Sequence, residues 1–543
     1  MFNLNDLHKI TSILSPSGLL EHFKKLLGAY EEKLEENDEL KNEVINLKNR
    51  LRKLIGEQEI PKFKDKKDKK KLHHQKPSKK DRKKNWKKKP KNDEIKIDRE
   101  EKCPVNKENL PADAEFKGHR EITVQNIILK TDNIKFKIER WYSPSLKKYF
   151  EGKLPSGFQG SQFGPELKAL IVMLYVGLRS TENKIEKMLA DLGVIISAGE
   201  ISNILTNINS KFSDEMNNAK VSGIKMSPAL NIDATGMYVL GESCFNLCHG
   251  NKYFSYHSTV ETRSRLDAVK CLIMSQDLIY LIDEDALIWI EKRKFKKNQK
   301  INKKLRNILS NKEYSEEEID ALILSFKITD TKSINFIKTG SLLSAWKKKL
   351  LGVIPEGLIS DSAGEYREIL DWHQECWIHE LRHYREIKIS SEYVKEELDL
   401  FFEKAWDLFD LMESYKFFPS VELKQKIESE FKAIFEREWN SFMINHCRAN
   451  TISRKENLLT FLEHPTIAIH NNQAESYIRE KVIRRKISGG HKNIRGAAAG
   501  NLWISLYQTV RKNGLSFWLY LRDRFHGLNQ IDQLSKIIEL RLA

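Results

Sequence analysis

With 543 residues the chain is too long for one compact core and implies roughly three or four structural units. Apolar runs broken by Lys, Asp or Glu, no basic-then-apolar leader and six scattered cysteines set aside a membrane span and a disulfide-stapled secreted scaffold; a reducing cytoplasm is the expected compartment. The net charge of +17 is concentrated between Lys62 and Lys91, where seventeen Lys/Arg face three Asp, a surplus of +14 that leaves the remainder near balance at +3.

From about Leu19 to Leu54 apolar residues recur in heptads. With Phe23 at a, the a positions are Phe23, Tyr30, Asn37, Val44 and Leu51, and the d positions are Leu26, Lys33, Leu40, Leu47 and Leu54; only Lys33 is foreign. A single Asn at a favours a parallel, in-register dimer. Residues 1–60 are therefore expected to be a coiled coil that pairs protomers through Tyr30, Asn37, Leu40, Val44, Leu47 and Leu51, an amphipathic helix packed on the body being the alternative. Residues 61–100 carry the basic run, which should lack order without a partner. It would bind polyanions by counter-ion release, or else serve as a solvated linker or localisation tag.

Residues 101–222 begin with Cys103, which has Asn106 where a C-x-x-C pair would place its second sulfur, so a zinc knuckle is not supported. Glu121 to Arg140 alternates as strands do. From Pro165 to about residue 215 the pattern turns helical, with Ser197 and Glu200 spaced as a capping box. Two short helices with a tight connection could be a helix-turn-helix that reads DNA, or an ordinary pair in a bundle.

The core is expected in two pieces, residues 223–276 and 351–390. In the first, ALNIDATG reads as a short apolar strand ending at Asp233, followed by strand-like runs at Met237–Leu240, Cys244–Leu247 and Tyr253–Val260 and a helix from Arg265. Cys244, Cys248 and His249 suit packing better than a metal. Residues 277–350 read as a charged helical insertion in which Asp283 competes as a site carboxylate. In the second piece GLISDSAGEY again delivers an aspartate, Asp361, at the end of an apolar strand, and the Cys376-x-x-His379 spacing behind it is a weak metal signal. Residues 391–465 read as an α-helical insertion. Residues 466–543 hold HNNQAESYIREKVIRRK, where a helix sets Asn472, Glu475 and Arg479 along one face ahead of Arg484, Arg485 and Lys486. An ordinary surface ion pair of Glu475 with Arg479 is the plain alternative.

Two aspartates at strand ends and a glutamate on a packed helix form the acidic constellation of a ribonuclease-H-like fold. Such carboxylates can hold two hard divalent cations, Mg²⁺ or in its place Mn²⁺, for in-line phosphoryl transfer. The chain also resembles the insertion-sequence 66 family of bacterial DDE transposases across most of residues 100 to 530. The motifs that carry the resemblance are HNNQAESYIREKVIRRKISGG with RGAAAGNLWISLYQTVRKNGLSFWLYL, then NIDATG, LISDSAGEY with CWIHELRHY, and ERWYSPSLKKYF upstream. The resemblance implies that Asp233, Asp361 and Glu475 are the catalytic, metal-binding triad, and it decides against Asp283. It implies that Arg479 and Arg485 contact DNA or brace the glutamate, with Asn472, Arg484, Lys486, His379 and Arg382 in DNA-binding or supporting roles. The chain departs from the family in the Ala-Thr after Asp233, where Glu-Thr is common, in retaining only Cys103 of the zinc-binding cysteines, and in a longer insertion before Asp361.

The expected fold is thus an α/β catalytic core with a ribonuclease-H-like mixed sheet and helical insertions, an N-terminal coiled coil and a helical DNA-binding region. The expected function is a transposase that cuts and joins the ends of an insertion sequence. Its partners would be double-stranded DNA at terminal repeats and target, a second protomer or more, and accessory proteins of the element, at the nucleoid. The alternatives are a domesticated or accessory DNA-binding protein that keeps the fold without catalysis, and a coiled-coil scaffold with an RNA-binding arm.

Overall fold

The computed structural model describes residue 47 and residues 96–105, 114–115, 119–160, 162–207, 210–227, 229–273, 278–292, 303–307, 312–349 and 353–541. Leu47 is helical and buried; Tyr30, Asn37, Leu40, Val44, Leu51 and the basic run from Lys62 to Lys91 lie outside the described residues. The chain forms two compact units, one of residues 1–59, 135–191 and 195–543, the other of residues 60–134 with 192–194. The described part of the second unit contains no helix or strand. The strands expected between Glu121 and Arg140 do not form: Ile122, Val124, Ile127 and Ile128 stand exposed, and strand structure begins only at Arg140. Alternation supplies an apolar face, but a strand also needs a partner for its backbone groups, and among the described residues none pairs with residues 121–138.

In the first unit β1 (Arg140–Ser143) and β2 (Lys148–Glu151) form an antiparallel hairpin. Three helices follow: α1 (Pro165–Val176), α2 (Glu182–Asp191) and α3 (Ala198–Thr206). Pro165 opens α1 in the first turn, where its missing N–H costs nothing. Ser197 caps α3 by accepting from the Glu200 amide at 3.2 Å. The Glu200 carboxylate turns instead to Asn203 Nδ2 at 3.1 Å, so the reciprocal half of the capping box is not seen. The helix α4 (Ser210–Lys225) then leads into the sheet.

The central sheet is mixed. β3 (Ala229–Val239), β4 (Glu242–Gly250) and β5 (Ser255–Val260) run antiparallel. β3 does not end at Asp233 as the sequence suggests; it continues to Val239 because β4 pairs with it from Asn231 to Val239, and the Met237 run is its second half. After α5 (Arg265–Leu272) the insertion holds β6 (Tyr280–Leu281), α6 (Glu284–Glu291), β7 (Glu313–Tyr314), α7 (Glu316–Ser325) and α8 (Thr331–Lys349). It is helical as expected, but β6 and β7 pair and α8 packs on α5 and α6 with Ser341 to Trp346 buried, so it is no loose charged appendage. Asp283 caps α6, accepting from the Ala286 amide, the Ser344 hydroxyl and the Lys348 ammonium.

β8 (Gly357–Ser360) returns to the core parallel to β3, and β9 (Trp372–Glu375) adds to it in parallel, for a strand order β5-β4-β3-β8-β9. A Cβ at Gly357 would collide with the Trp372 ring directly opposite. β9 was not legible, because WHQE is polar; its residues are buried by partners, His373 by Ser360 Oγ at 2.8 Å and Glu375 by Arg454 at 2.9 Å and Arg367 at 2.9 Å.

Beyond it α9 (Trp377–Arg385), α10 (Glu392–Phe417), α11 (Val421–Phe431) and α12 (Phe442–Ser453) build the helical insertion around stacked and edge-on aromatics such as Tyr384 and Phe401. The chain closes with α13 (Asn472–Ser488), α14 (Ile494–Lys512), α15 (Phe517–His526) and α16 (Leu534–Glu539). α13 lies on β3 and β4, α14 on β5, and α1 packs against α14 and α15. Among the described residues no helix is long and apolar enough to cross a membrane.

Candidate active site

Sheet register brings the two aspartates together. β3 pairs with β8 as Ala229 with Gly357, Leu230 with Leu358 and Asn231 with Ile359. Continued two residues past the last pair, the same alignment sets Asp233 level with Asp361. Asp361 follows the end of β8, where the ladder opens. Asp233 shares its face of β3 with Asn231 and stands opposite Cys248 of β4. Cys248 packs with Tyr477 and Ile478 of α13, so this is the face that α13 covers.

The start of α13 is stitched to that face. The Asn471 side chain donates to the Ile232 carbonyl at 2.9 Å and accepts from Asn231 Nδ2 at 3.0 Å, and its backbone amide donates to Cys376 Sγ at 3.2 Å. Asn is a favoured N-cap residue, yet this one makes no cap bond; its amide is used to fix the helix to the sheet. Cys376 in turn precedes α9, and the Trp377 amide donates to the Ile469 carbonyl at 3.0 Å. Two helix N-termini are thereby held side by side, and Glu475 in the first turn of α13 faces His379 of α9.

The electrostatics of the site follow from that crowding. Burial first, then Asp361 and more weakly Glu475, push the Asp233 carboxyl up to about 7, against a 2.7 Å bond from the Ala234 amide and the field of Arg263. Arg263, in the turn after β5, pairs with Asp361 at 3.1 Å and with Glu365. Glu475 Oε1 is shielded from solvent and accepts no hydrogen bond; His379 Nε2 is 3.4 Å away and Arg382 Nη2 4.0 Å. Burial pulls His379 below the usual imidazole pKa, with Glu475 opposing and Arg382 reinforcing. Among the described residues no three Asp, Glu, His or Cys side chains converge into a ready-made metal cage. The carboxylates are neighbours with an orphaned oxygen, and they leave room for water or phosphate oxygens in a cation's shell.

The family profile "Transposase IS66 family" matches residues 347–499. This segment is similar to an IS66-family transposase domain. The matched segment includes β8, Asp361, α9, Glu475 and all of α13, while Asp233 and Arg263 precede it. A Sinorhizobium fredii (strain NBRC 101917 / NGR234) protein described as "Uncharacterized protein y4jO" is 26% identical over 308 residues, which are 56% of this chain and 93% of that protein.

Within the matched segment the remaining predicted residues divide by depth. Arg479 and Lys486 are exposed and free to meet an anion. Arg485 donates to the Gly236 carbonyl and so braces α13 on β3. Arg484 is buried with its guanidinium 3.5 Å from the Tyr175 ring centroid and bonded to the Tyr175 carbonyl, which leaves it no face for DNA. Asn472 is likewise buried, and the bridging amide is its neighbour Asn471. The stripe from Asn472 through Glu475 to Arg479 thus climbs from core to solvent. Cys376 is no metal partner for His379: burial pushes its thiol up to about 12, and its sulfur takes the Asn471 amide. Cys244 and Cys248 pack in apolar clusters as expected.

Sequence reasoning missed Arg263, Asn231 and Asn471. The N-cap preference for Asn at the start of an apolar-periodic helix could have signalled Asn471; nothing local marks Arg263, which becomes a site residue only when the β5–α5 turn folds beside Asp361.

Proposed function

We propose that this protein is a DDE-type DNA transposase with a ribonuclease-H-like core that cuts and joins strands at the ends of a bacterial insertion sequence. The observation that carries the reading is the shared alignment of Asp233 and Asp361 beneath the helix that bears Glu475, inside and beside an IS66-family domain. Asp233, Asp361 and Glu475 offer oxygen ligands of the kind that Mg²⁺ or Mn²⁺ prefers, and the orphaned Glu475 oxygen and the raised Asp233 carboxyl fit a site that awaits positive charge. Two such ions, when bound, supply an activated attacking oxygen and stabilise the leaving one.

The chain's own groups do the rest. Arg263 holds the Asp361–Glu365 turn in place, His379 and Arg382 orient the Glu475 carboxylate, and Arg479 and Lys486 present charge to a phosphate backbone. A cleft of about 390 Å³ adjoins the Asp361 turn through Gly364 and Glu365, and another of about 510 Å³ lies beside β5 and α14; neither is lined by any of the three acids. We place its work on double-stranded DNA in the bacterial cytoplasm, by a dimer or larger assembly.

The test is a Mg²⁺-dependent cleavage assay on DNA carrying the element's own ends, with wild type beside Glu475→Ala. Nicking at the element boundary in the wild type, reduced at least about a thousandfold in the variant with DNA binding retained, is expected. Undiminished nicking by Glu475→Ala would sink the proposal, and binding without nicking by the wild type would favour a DNA-binding protein that keeps the fold without catalysis.

A further inference from the structure

The β1–β2 hairpin keeps four aromatic rings in solvent, two on each face. Trp141 and Phe150 are cross-strand partners, exposed at 68% and 48%; Tyr142 and Tyr149 are partners on the other face, exposed at 51% and 54%. The Tyr pair touches, with centroids 4.8 Å apart. Cross-strand pairs of this kind help hold a two-stranded ribbon, which is marginal in water alone. Among the described residues neither face rests on a core, and rings left wet on both sides of a ribbon call for a partner.

The charge around the rings says what that is. Lys135 to Lys153 holds six Lys/Arg against two Glu, a surplus of +4. Arg140 lies 4.1 Å over the Tyr149 ring and Lys148 lies 5.8 Å from that of Phe150, so each face pairs a ring with a cation. Protein interfaces favour aromatics but are depleted in lysine; Lys147, Lys148 and Lys153 on this short ribbon point to a polyanion. In a duplex the base faces are already stacked on one another, and rings on both sides of a ribbon would meet only sugar and phosphate. An unpaired strand offers base faces between its phosphates, and base–ring stacking with adjacent cations is how such strands are held.

We infer that the β1–β2 hairpin is a binding ribbon for single-stranded DNA, its Trp141/Phe150 and Tyr142/Tyr149 faces stacking on unpaired bases while Lys147 and Lys148 meet the phosphates; Arg140 is paired with Glu151 at 2.8 Å. The inference rests on the DNA-processing reading for its class of ligand. It adds a surface to the catalytic face, one that takes a strand opened at the site of cutting.

The experiment uses the full-length chain and a fluorescent oligothymidylate, beside a duplex of the same length, at about 0.3 M salt, where non-specific binding by the basic run is suppressed. Trp141→Thr/Phe150→Thr and Tyr142→Thr/Tyr149→Thr remove one pair of rings each while keeping strand-favouring residues. Trp141→Phe/Phe150→Tyr keeps the rings. Each Thr pair should weaken oligothymidylate binding by roughly tenfold or more with duplex affinity unchanged, and the ring-keeping variant should bind as wild type does.

The inference is overturned if the Thr pairs bind oligothymidylate as the wild type does, or if they lose single strand and duplex equally. A loss as large in the ring-keeping variant, or a change in sedimenting mass without a change in DNA affinity, would also overturn it. The Glu475→Ala cleavage assay reads the transposase proposal separately. Undiminished cutting there beside weakened binding by the Thr pairs defeats that proposal alone, and the reverse pattern defeats the ribbon alone.

Discussion

Asp233 is the residue whose environment says most about the site. Its carboxyl titrates near 7 in the metal-free fold because burial and two neighbouring acids disfavour the charge, whereas in the unfolded chain it titrates at the ordinary carboxylate value. The folded state therefore holds its proton more tightly, and stability falls as pH rises from about 4 through 7. Asp233→Asn should remove that loss. In metal-free protein at pH 8 it is expected to raise stability by about 1–3 kcal/mol, with a smaller gain at pH 5 and none below about pH 4, read from denaturation midpoints across pH. A gain of the same size at every pH would mean that the carboxyl is not held neutral.

At the scale of elements, α13 is the piece on which geometry depends. Its N-terminus is tied to β3 through Asn471, its middle climbs to solvent at Arg479, and its C-terminal half is fixed by Arg484 on Tyr175 and Arg485 on Gly236. Arg479 and Arg484 sit five positions apart on one helix and should behave in opposite ways. Arg484→Ala removes a buried ring contact and a backbone bond and is expected to cost about 2–3 kcal/mol of stability, with cleavage lost through a displaced Glu475. Arg479→Ala should leave the melting temperature unchanged and lower the salt slope of DNA binding by about one. Equal effects of the two on either measurement would contradict the division by depth.

The same helix shows where reading the sequence succeeded. HNNQAESYIREKVIRRK reads as a helix with Asn472, Glu475 and Arg479 along one face and a cationic run after them, and the helix forms, because spacing of 3.6 residues per turn is local information. Which cation faces water is not local. Arg484 is buried because α1, some three hundred positions earlier, supplies Tyr175. The polar β9 and the site residue Arg263 escaped notice for the same reason, their partners being distant in the chain. Asp361 was placed correctly at the end of β8, whereas β3 overran Asp233 because a strand's length is set by its partner, here β4.

For the whole molecule, charge is divided between a near-neutral body and one basic run, Lys62 to Lys91. Deleting that run should reduce non-specific DNA affinity at low salt by orders of magnitude and flatten its salt dependence, measured by anisotropy titrations between about 0.05 and 0.2 M salt. Specific cutting of pre-bound ends should survive the deletion if the catalytic face holds DNA by itself. An unchanged salt slope would assign non-specific binding to the folded body.

The parallel pairing of β3 with β8 has a consequence for how such a chain can change over time. Asp233 and Asp361 are aligned by hydrogen bonds between two strands, and not by the count of residues that separates them. The segment between α5 and α8 could lengthen, shorten or be exchanged for another module, provided that Arg263 keeps its turn and α8 its seat on α5. A lineage can thus try new crossovers there while its chemistry stays in register.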